Sequence, residues 1–324
     1  MKEKIRVAFI YRDSNVLMSG KHYDNTYYHF FVSALKRNQK LDVTYFQTGE
    51  SFDASILKGK FDIILLFHNH TASMPQELIG IEDLDMPVVA RVTDPRVAKE
   101  SIALHKKWKI DYYFMFWPES FFYQLWPRNF KFKTIVFGLE PSLYRDVIPF
   151  DQRIKDRILN SGSVGNTKFL SRIINDVRNP KWNAFRCYHL RTMCNKLSYV
   201  DYTSTLQHKF VNDKYAQLLQ KYAAAIAASS YTTVVKMLEI PAAGCLTFIE
   251  SSKKSDASYL GYRDGETAIF IDEENYKEKF EEYLKDTKSP KWKEITDAGR
   301  KYALEELNND KAVESLVELF EQLI

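Results

Sequence analysis

SSYTTVVKMLEIPAAGCLTF, residues 229–248, is the stretch from which the rest of the chain is read. The apolar run before it, 223–228, reads as a buried strand. A hydroxyl-rich turn follows, then a helix carrying Lys236 and Glu239, a Pro-Ala-Ala-Gly stop at 241–244, and a second apolar strand. A helix starting at the carboxyl end of a parallel strand presents unsatisfied backbone N–H groups, and open α/β sheets bind anions there. A phosphate-bearing ligand is the first expectation.

Upstream, short apolar runs alternate with amphipathic segments, the pattern of βαβ units around a parallel sheet. Strands are expected over 6–11, 42–46, 63–67, 88–92, 112–116 and 134–137, with helices near 23–37, 75–79, 97–107 and 120–125. GLEPSLYRDVIPFD, 138–151, carries two prolines and no sustained period, as a linker between domains does. The pattern then restarts: a strand over 157–160 running into SGSVGNTK, helices near 168–177 and 184–196, a strand over 198–202 and a helix over 212–222. After the opening strand-helix-strand come a strand over 267–271 and helices over 275–285 and 290–323. The expected fold class is α/β, with two tandem Rossmann-like domains facing a cleft and parallel sheets covered by helices on both faces. Their expected bounds are 1–140 and 141–324, with the last helix free to pack back on the first domain.

Composition narrows the functional classes. A chain of 324 residues is long for one core. A net charge of +4 is too small for a general nucleic-acid coat, so no nucleic-acid partner is expected. Cys187, Cys194 and Cys245 are too few for a disulfide framework and fit a reducing compartment. Cys187, His189 and Cys194 lack a matching second pair for zinc and read as thiols on a helix. The start, MKEKIRVAFIYRDSN, has too short an apolar run for a signal peptide, and no run approaches the ~20 residues of a membrane span. A cytoplasmic protein with at most peripheral membrane association is expected.

Glu239 lies three residues after Lys236 on a neighbouring part of one helical face. A carboxylate there can accept the two hydroxyls of a ribose, while the lysine and the N–H groups of Thr232 and Thr233 meet a diphosphate. A surface Lys–Glu pair beside an ordinary helix cap is the plain alternative.

Lys236, Glu239 and 241–244, followed by Leu260, Gly261, Asp264, Gly265, Ala268 and Phe270 in LGYRDGETAIFID (260–272), resemble the donor domain of group 1 glycosyltransferases. The likeness is nearer to the spore-maturation-like (CgeB-like) glycosyltransferases, and it covers roughly 157–284 well and the first half by architecture alone. It implies the GT-B arrangement, with a nucleotide-sugar held mainly by the second domain and an acceptor mainly by the first. The family's ribose-binding carboxylate falls on Glu239. The larger group carries a further Glu eight positions earlier, where this chain has Tyr231. The donor sugar therefore does not carry over. For the diphosphate, the resemblance points to GSVGNTKFLSR, with Gly162 and Gly165 admitting phosphate to the backbone and Lys168 or Arg172 supplying charge, and to Arg191 as a competitor.

Loops after the strands of the first domain carry His22, His68 and His70, expected to bind the acceptor rather than a metal, since no third ligand stands at a recognisable spacing. Asp94 stands where related glycosyltransferases place a residue facing the reacting sugar, and is the candidate catalytic carboxylate beside Lys236. An Asx turn before Pro95 accounts for it equally well. The aromatic segment 116–132 reads as core packing more readily than as a sugar-stacking or membrane surface.

These readings converge on a metal-independent glycosyltransferase moving a sugar from a nucleotide-sugar to a hydroxyl of a glycan, lipid or protein. The nucleotide-sugar enters as co-substrate, and no cofactor is expected. The alternatives are a two-domain small-ligand binding protein and a sugar-nucleotide epimerase of related fold.

Overall fold

The structure, a computed structural model, describes residues 4–12, 25–68, 74–92, 94–178, 182–203, 213–252 and 257–324. The chain divides into two compact units, Met1–Phe137 with Asn309–Ile324, and Gly138–Asn308.

The first unit runs β1 (Ile5–Arg12), α1 (Asn25–Arg37), β2 (Leu41–Thr48), β3 (Ser51–Asp53), β4 (Ile63–Leu66), β5 (Glu77–Ile79), β6 (Val88–Arg91), α2 (Ala98–Lys107), β7 (Tyr112–Met115), α3 (Glu119–Phe122) and β8 (Phe132–Thr134). Its main sheet is parallel, in the order β2-β1-β4-β6-β7-β8. The central strands β4 and β6 are buried at every position, so β4 reads as an unbroken apolar run and β6 as one ended by the buried Arg91, whereas β2 at the edge alternates. Two expectations are corrected here. Residues 75–79 do not form a helix; β5 pairs with β3 in a separate parallel ribbon. The last strand sits earlier, at Phe132–Thr134, where it pairs with β7 and Phe132 stacks on Phe122 with ring centroids 4.1 Å apart. Trp117, Phe121, Phe122, Trp126, Phe130 and Phe132 are all buried, so the aromatic segment is core.

The second unit runs β9 (Ile154–Ser161), α4 (Phe169–Arg178), α5 (Ala184–Cys187), α6 (His189–Cys194), β10 (Val200–Thr203), α7 (Asp213–Leu219), β11 (Tyr222–Ala227), α8 (Lys236–Ala242), β12 (Leu246–Glu250), β13 (Ile269–Ile271), α9 (Tyr276–Lys285) and α10 (Pro290–Glu306). Its sheet is again parallel, ordered β10-β9-β11-β12-β13. One core gathers Ile158, Leu190, Ala224, Ile226, Phe248 and Phe280 between the sheet and its helices. The expected helix over 184–196 is broken at Tyr188, and that over 290–323 at Leu307 and Asn308. After that second break, α11 (Asn309–Leu323) belongs to the first unit, where Asp310 pairs with Arg37 at 2.6 Å and the Ser315 carbonyl accepts from Lys133.

Strand order in the second sheet reverses between β9 and β11. In such sheets the crevice at the carboxyl ends of the two strands is where ligands bind. Ser161 and Gly162 close β9, and Ala228 to Ser230 follow β11.

Candidate functional site

Two buried cations meet at that switch point. Lys236, the first residue of α8, donates its ammonium to the Ser161 carbonyl. Arg191, in α6, reaches the same oxygen through Nη1 at 3.4 Å. Arg191 is held from three sides: Asn160 Nδ2 donates to its carbonyl at 2.9 Å, the Tyr188 ring lies 4.2 Å under the guanidinium, and the helix sets its backbone. Its Nε is buried with no hydrogen-bond partner, as is Thr232 Oγ1. Among the described residues neither cation forms an ion pair. Burial, and for Lys236 also the neighbouring Arg191 charge, pushes both groups below their usual values, Lys236 strongly.

Glycine makes this approach possible. Gly162 has φ +90°, its N–H donates to Thr203 O at 3.2 Å, and its carbonyl accepts from Tyr202 Oη at 3.0 Å. A Cβ there would run into the Lys236 ammonium and lie 3.3 Å from Arg191 Nη1. Gly165 has another task. Its N–H donates to Thr192 Oγ1 at 2.8 Å, and a Cβ would collide with the Phe185 backbone of α5. It serves close packing of the loop on α5.

Glu239, one turn into α8, is buried, and its carboxyl is pushed up to about 8 by that burial, with Lys236 limiting the rise. Glu250, at the end of β12, is a second buried carboxyl. Burial raises it to about 7, while the Ser230 hydroxyl and Ser229 N–H hold it lower. Ser230 Oγ also accepts from Leu190 N at 3.2 Å, tying the loop after β11 to the start of α6. Glu250 was not among the expected residues. The signal was present as a carboxylate ending the apolar run LTFIE.

The remaining candidates fall in several places. α8 begins at Lys236 and has seven residues, so Thr232 and Thr233 lie upstream of it in irregular backbone and are not its N-terminal amides, as had been expected. Pro241 sits inside α8. It cannot donate to the Met237 carbonyl, and Tyr262 Oη fills that acceptor at 2.8 Å. Thr233 Oγ1 hydrogen-bonds Tyr259 Oη, and the Tyr231 ring packs edge-on against Trp182 at 4.6 Å. Lys168 is exposed just before α4, and Arg172 stacks on Phe185 at 4.0 Å. Arg191, not these two, is the arginine at the switch point. Asp94 caps the turn at 95–97, accepting from Arg96 N at 2.9 Å and pairing with the Arg96 guanidinium at 2.7 Å. His68 is buried after β4, its ring 5.3 Å from that of Phe67. His22 and His70 lie outside the described residues. Among the described residues no cluster of three or more His, Cys, Asp or Glu is placed to hold a metal, and no helix is long and apolar enough to cross a membrane.

No protein-family model matches the chain, and no curated protein matches it in sequence. Solved structures do resemble it. Anabaena Alr3699/HepE in complex with UDP superposes with a TM-score of 0.59 at 11% identity, over 99% of this chain and 100% of that one. Sucrose-phosphate synthase from Thermosynechococcus elongatus does so with a TM-score of 0.60 at 11% identity, over 99% of both chains. A glycosyltransferase from Rickettsia africae gives 0.58 at 12% identity, over 100% of this chain and 99% of that one. The fold is GT-B. At these identities the likeness is one of fold.

Proposed function

We propose that the chain is a glycosyltransferase whose second unit holds a nucleotide-sugar and whose acceptor is a hydroxyl of a glycan, lipid or protein. The observation that carries the reading is the convergence of Lys236 and Arg191 on one carbonyl at the switch point of a parallel sheet. Two buried, un-ion-paired cations are costly unless an anion completes the site, and a diphosphate supplies the required charge. In the reaction, the bond from the sugar's anomeric carbon to the diphosphate oxygen breaks and a bond to the acceptor oxygen forms. The acceptor loses its proton, and the charge left on the diphosphate is met by Lys236 and Arg191. Protein cations thus fill the place a metal would take, and we expect turnover to survive chelation. Glu239 is assigned to the ribose hydroxyls and Thr232 Oγ1 to a phosphate oxygen.

Further support comes from HepE, solved in complex with UDP and glucose and with UDP-glucose, and from an α-glucosyltransferase solved in complex with UDP. The finer assignment to the spore-maturation-like group rests on the residues at 236–270, and that to the cytoplasm on the sparse cysteines, Cys187, Cys194 and Cys245.

The deciding experiment is a thermal-shift panel of nucleoside diphosphates and nucleotide-sugars, run on the wild type and on Glu239→Ala. One nucleotide should raise Tm selectively, and the substitution should abolish that rise and turnover together. A panel with no response would point to a binding protein or a lipid-phosphate donor, and release of free epimer without acceptor would point to an epimerase.

A further inference from the structure

Helix α4, FLSRIINDVR, leaves its apolar side uncovered. Phe169, Leu170, Ile173, Ile174 and Val177 share one face at helical spacing and are 46–78% exposed, and no residue of the helix is buried. Five large apolar side chains side by side are unusual on a protein surface and mark a contact face.

The charges around this face identify its occupant. Lys168, Arg172 and Arg178 are all exposed. The one acid of the helix, Asp176, is taken up by its own unit: it pairs with Arg186 at 3.2 Å and accepts from Asn183 Nδ2 at 2.7 Å. The rim is therefore cationic along its length. Two copies packed through this face would bring two cationic rims together, like against like. An anionic surface meets the same rim favourably, and a helix with aromatic and aliphatic residues on one side and basic residues on the other lies in the plane of a bilayer interface.

We propose that α4 docks the second unit on an anionic lipid surface, with the five apolar side chains entering the headgroup boundary and the three cations resting on lipid phosphates. The proposal is independent of the donor reading and needs no nucleotide. It places the α4 face of the unit against a membrane on which a lipid-linked substrate could be met.

The test is sedimentation of the full chain with vesicles of phosphatidylcholine alone and of phosphatidylcholine mixed with phosphatidylglycerol. Binding should appear with the anionic vesicles only, and should fall about fivefold for each lost cation contact. It should weaken between about 0.1 M and 1 M salt as screening shortens the field. The pair Leu170→Glu and Val177→Glu should lower binding by at least about tenfold, and Arg178→Glu should lower it too. All three positions are exposed, so Tm should stay put, and circular dichroism checks this. Wild type that ignores anionic vesicles, or a Glu pair that binds as well as wild type, overturns the proposal. A concentration-dependent dimer that the Glu pair dissociates overturns it in favour of a second copy.

Discussion

Lys236 and Arg191 donate to the same backbone oxygen, that of Ser161, from two different helices. A carbonyl dipole is a weak counterweight to two buried positive charges, and burial lowers the proton affinity of both side chains. Two like charges packed against one carbonyl repel each other, and a ligand bearing two negative charges offsets that repulsion when it binds between them.

Lys236→Met tests this directly. Removing one of two like charges while keeping an apolar stem should leave Tm unchanged or higher, since buried ionic groups replaced by apolar ones are often neutral or stabilising by about 1–4 kcal/mol. Affinity for the nucleoside diphosphate should meanwhile fall by about 1.5–3 kcal/mol, the worth of a charged hydrogen bond. Calorimetric titration and thermal unfolding read the two effects separately. A drop in Tm with affinity intact would make the lysine structural.

Glu239 makes stability depend on pH. Its folded-state value of about 8 lies above the ordinary 4.5, so the folded chain holds this proton more tightly than the unfolded one. The stabilisation is fully present below the ordinary value and is lost as pH rises through the folded value. Between pH 5 and 8.5, wild type should lose on the order of a few kcal/mol relative to Glu239→Gln. Parallel denaturation curves for the two proteins across that window would show that the carboxyl does not titrate as described.

The two glycines after β9 should fail differently. Gly165→Ala drives a methyl into the Phe185 backbone, which cannot swing aside, and should lower Tm substantially. Gly162→Ala meets the far end of the Lys236 side chain, which can move, and incurs backbone strain at φ +90° of about 1–2 kcal/mol. It should therefore weaken nucleotide binding out of proportion to its effect on Tm. Equal profiles for both variants would remove the distinction between a packing and a binding glycine.

Asp94→Ala separates the two roles open to that carboxylate. Its hydrogen bond to Arg96 N is that of a turn cap, and we expect a loss of about 1 kcal/mol in stability with turnover within a few fold of wild type. A loss of a thousandfold in kcat at unchanged Tm would instead identify a catalytic carboxylate.

The parallel sheets were legible because strands such as 223–228 are covered on both faces and appear as continuous apolar runs. What escaped was set by tertiary contact. Residues 75–79 make a strand only because β3 is there to pair with them. The start of α8 falls at Lys236 rather than among the hydroxyls before it, and no local signal marks the difference. Lys168, Arg172 and Arg191 are equivalent as sequence. Only the placement of α6 beside the end of β9 selects Arg191, and only the pairing of β12 with β11 carries Glu250 toward the same end of the sheet.

The return of α11 to the first unit has a consequence for biosynthesis. The second unit is one uninterrupted stretch, Gly138–Asn308, and can finish folding while the chain is still being made. The first unit begins earlier yet must wait for Asn309–Leu323, whose Asp310 pairs with Arg37, before its α1 flank is covered. The part that starts first is completed last, and a chain halted near residue 308 would carry a finished second unit beside a first unit missing a helix.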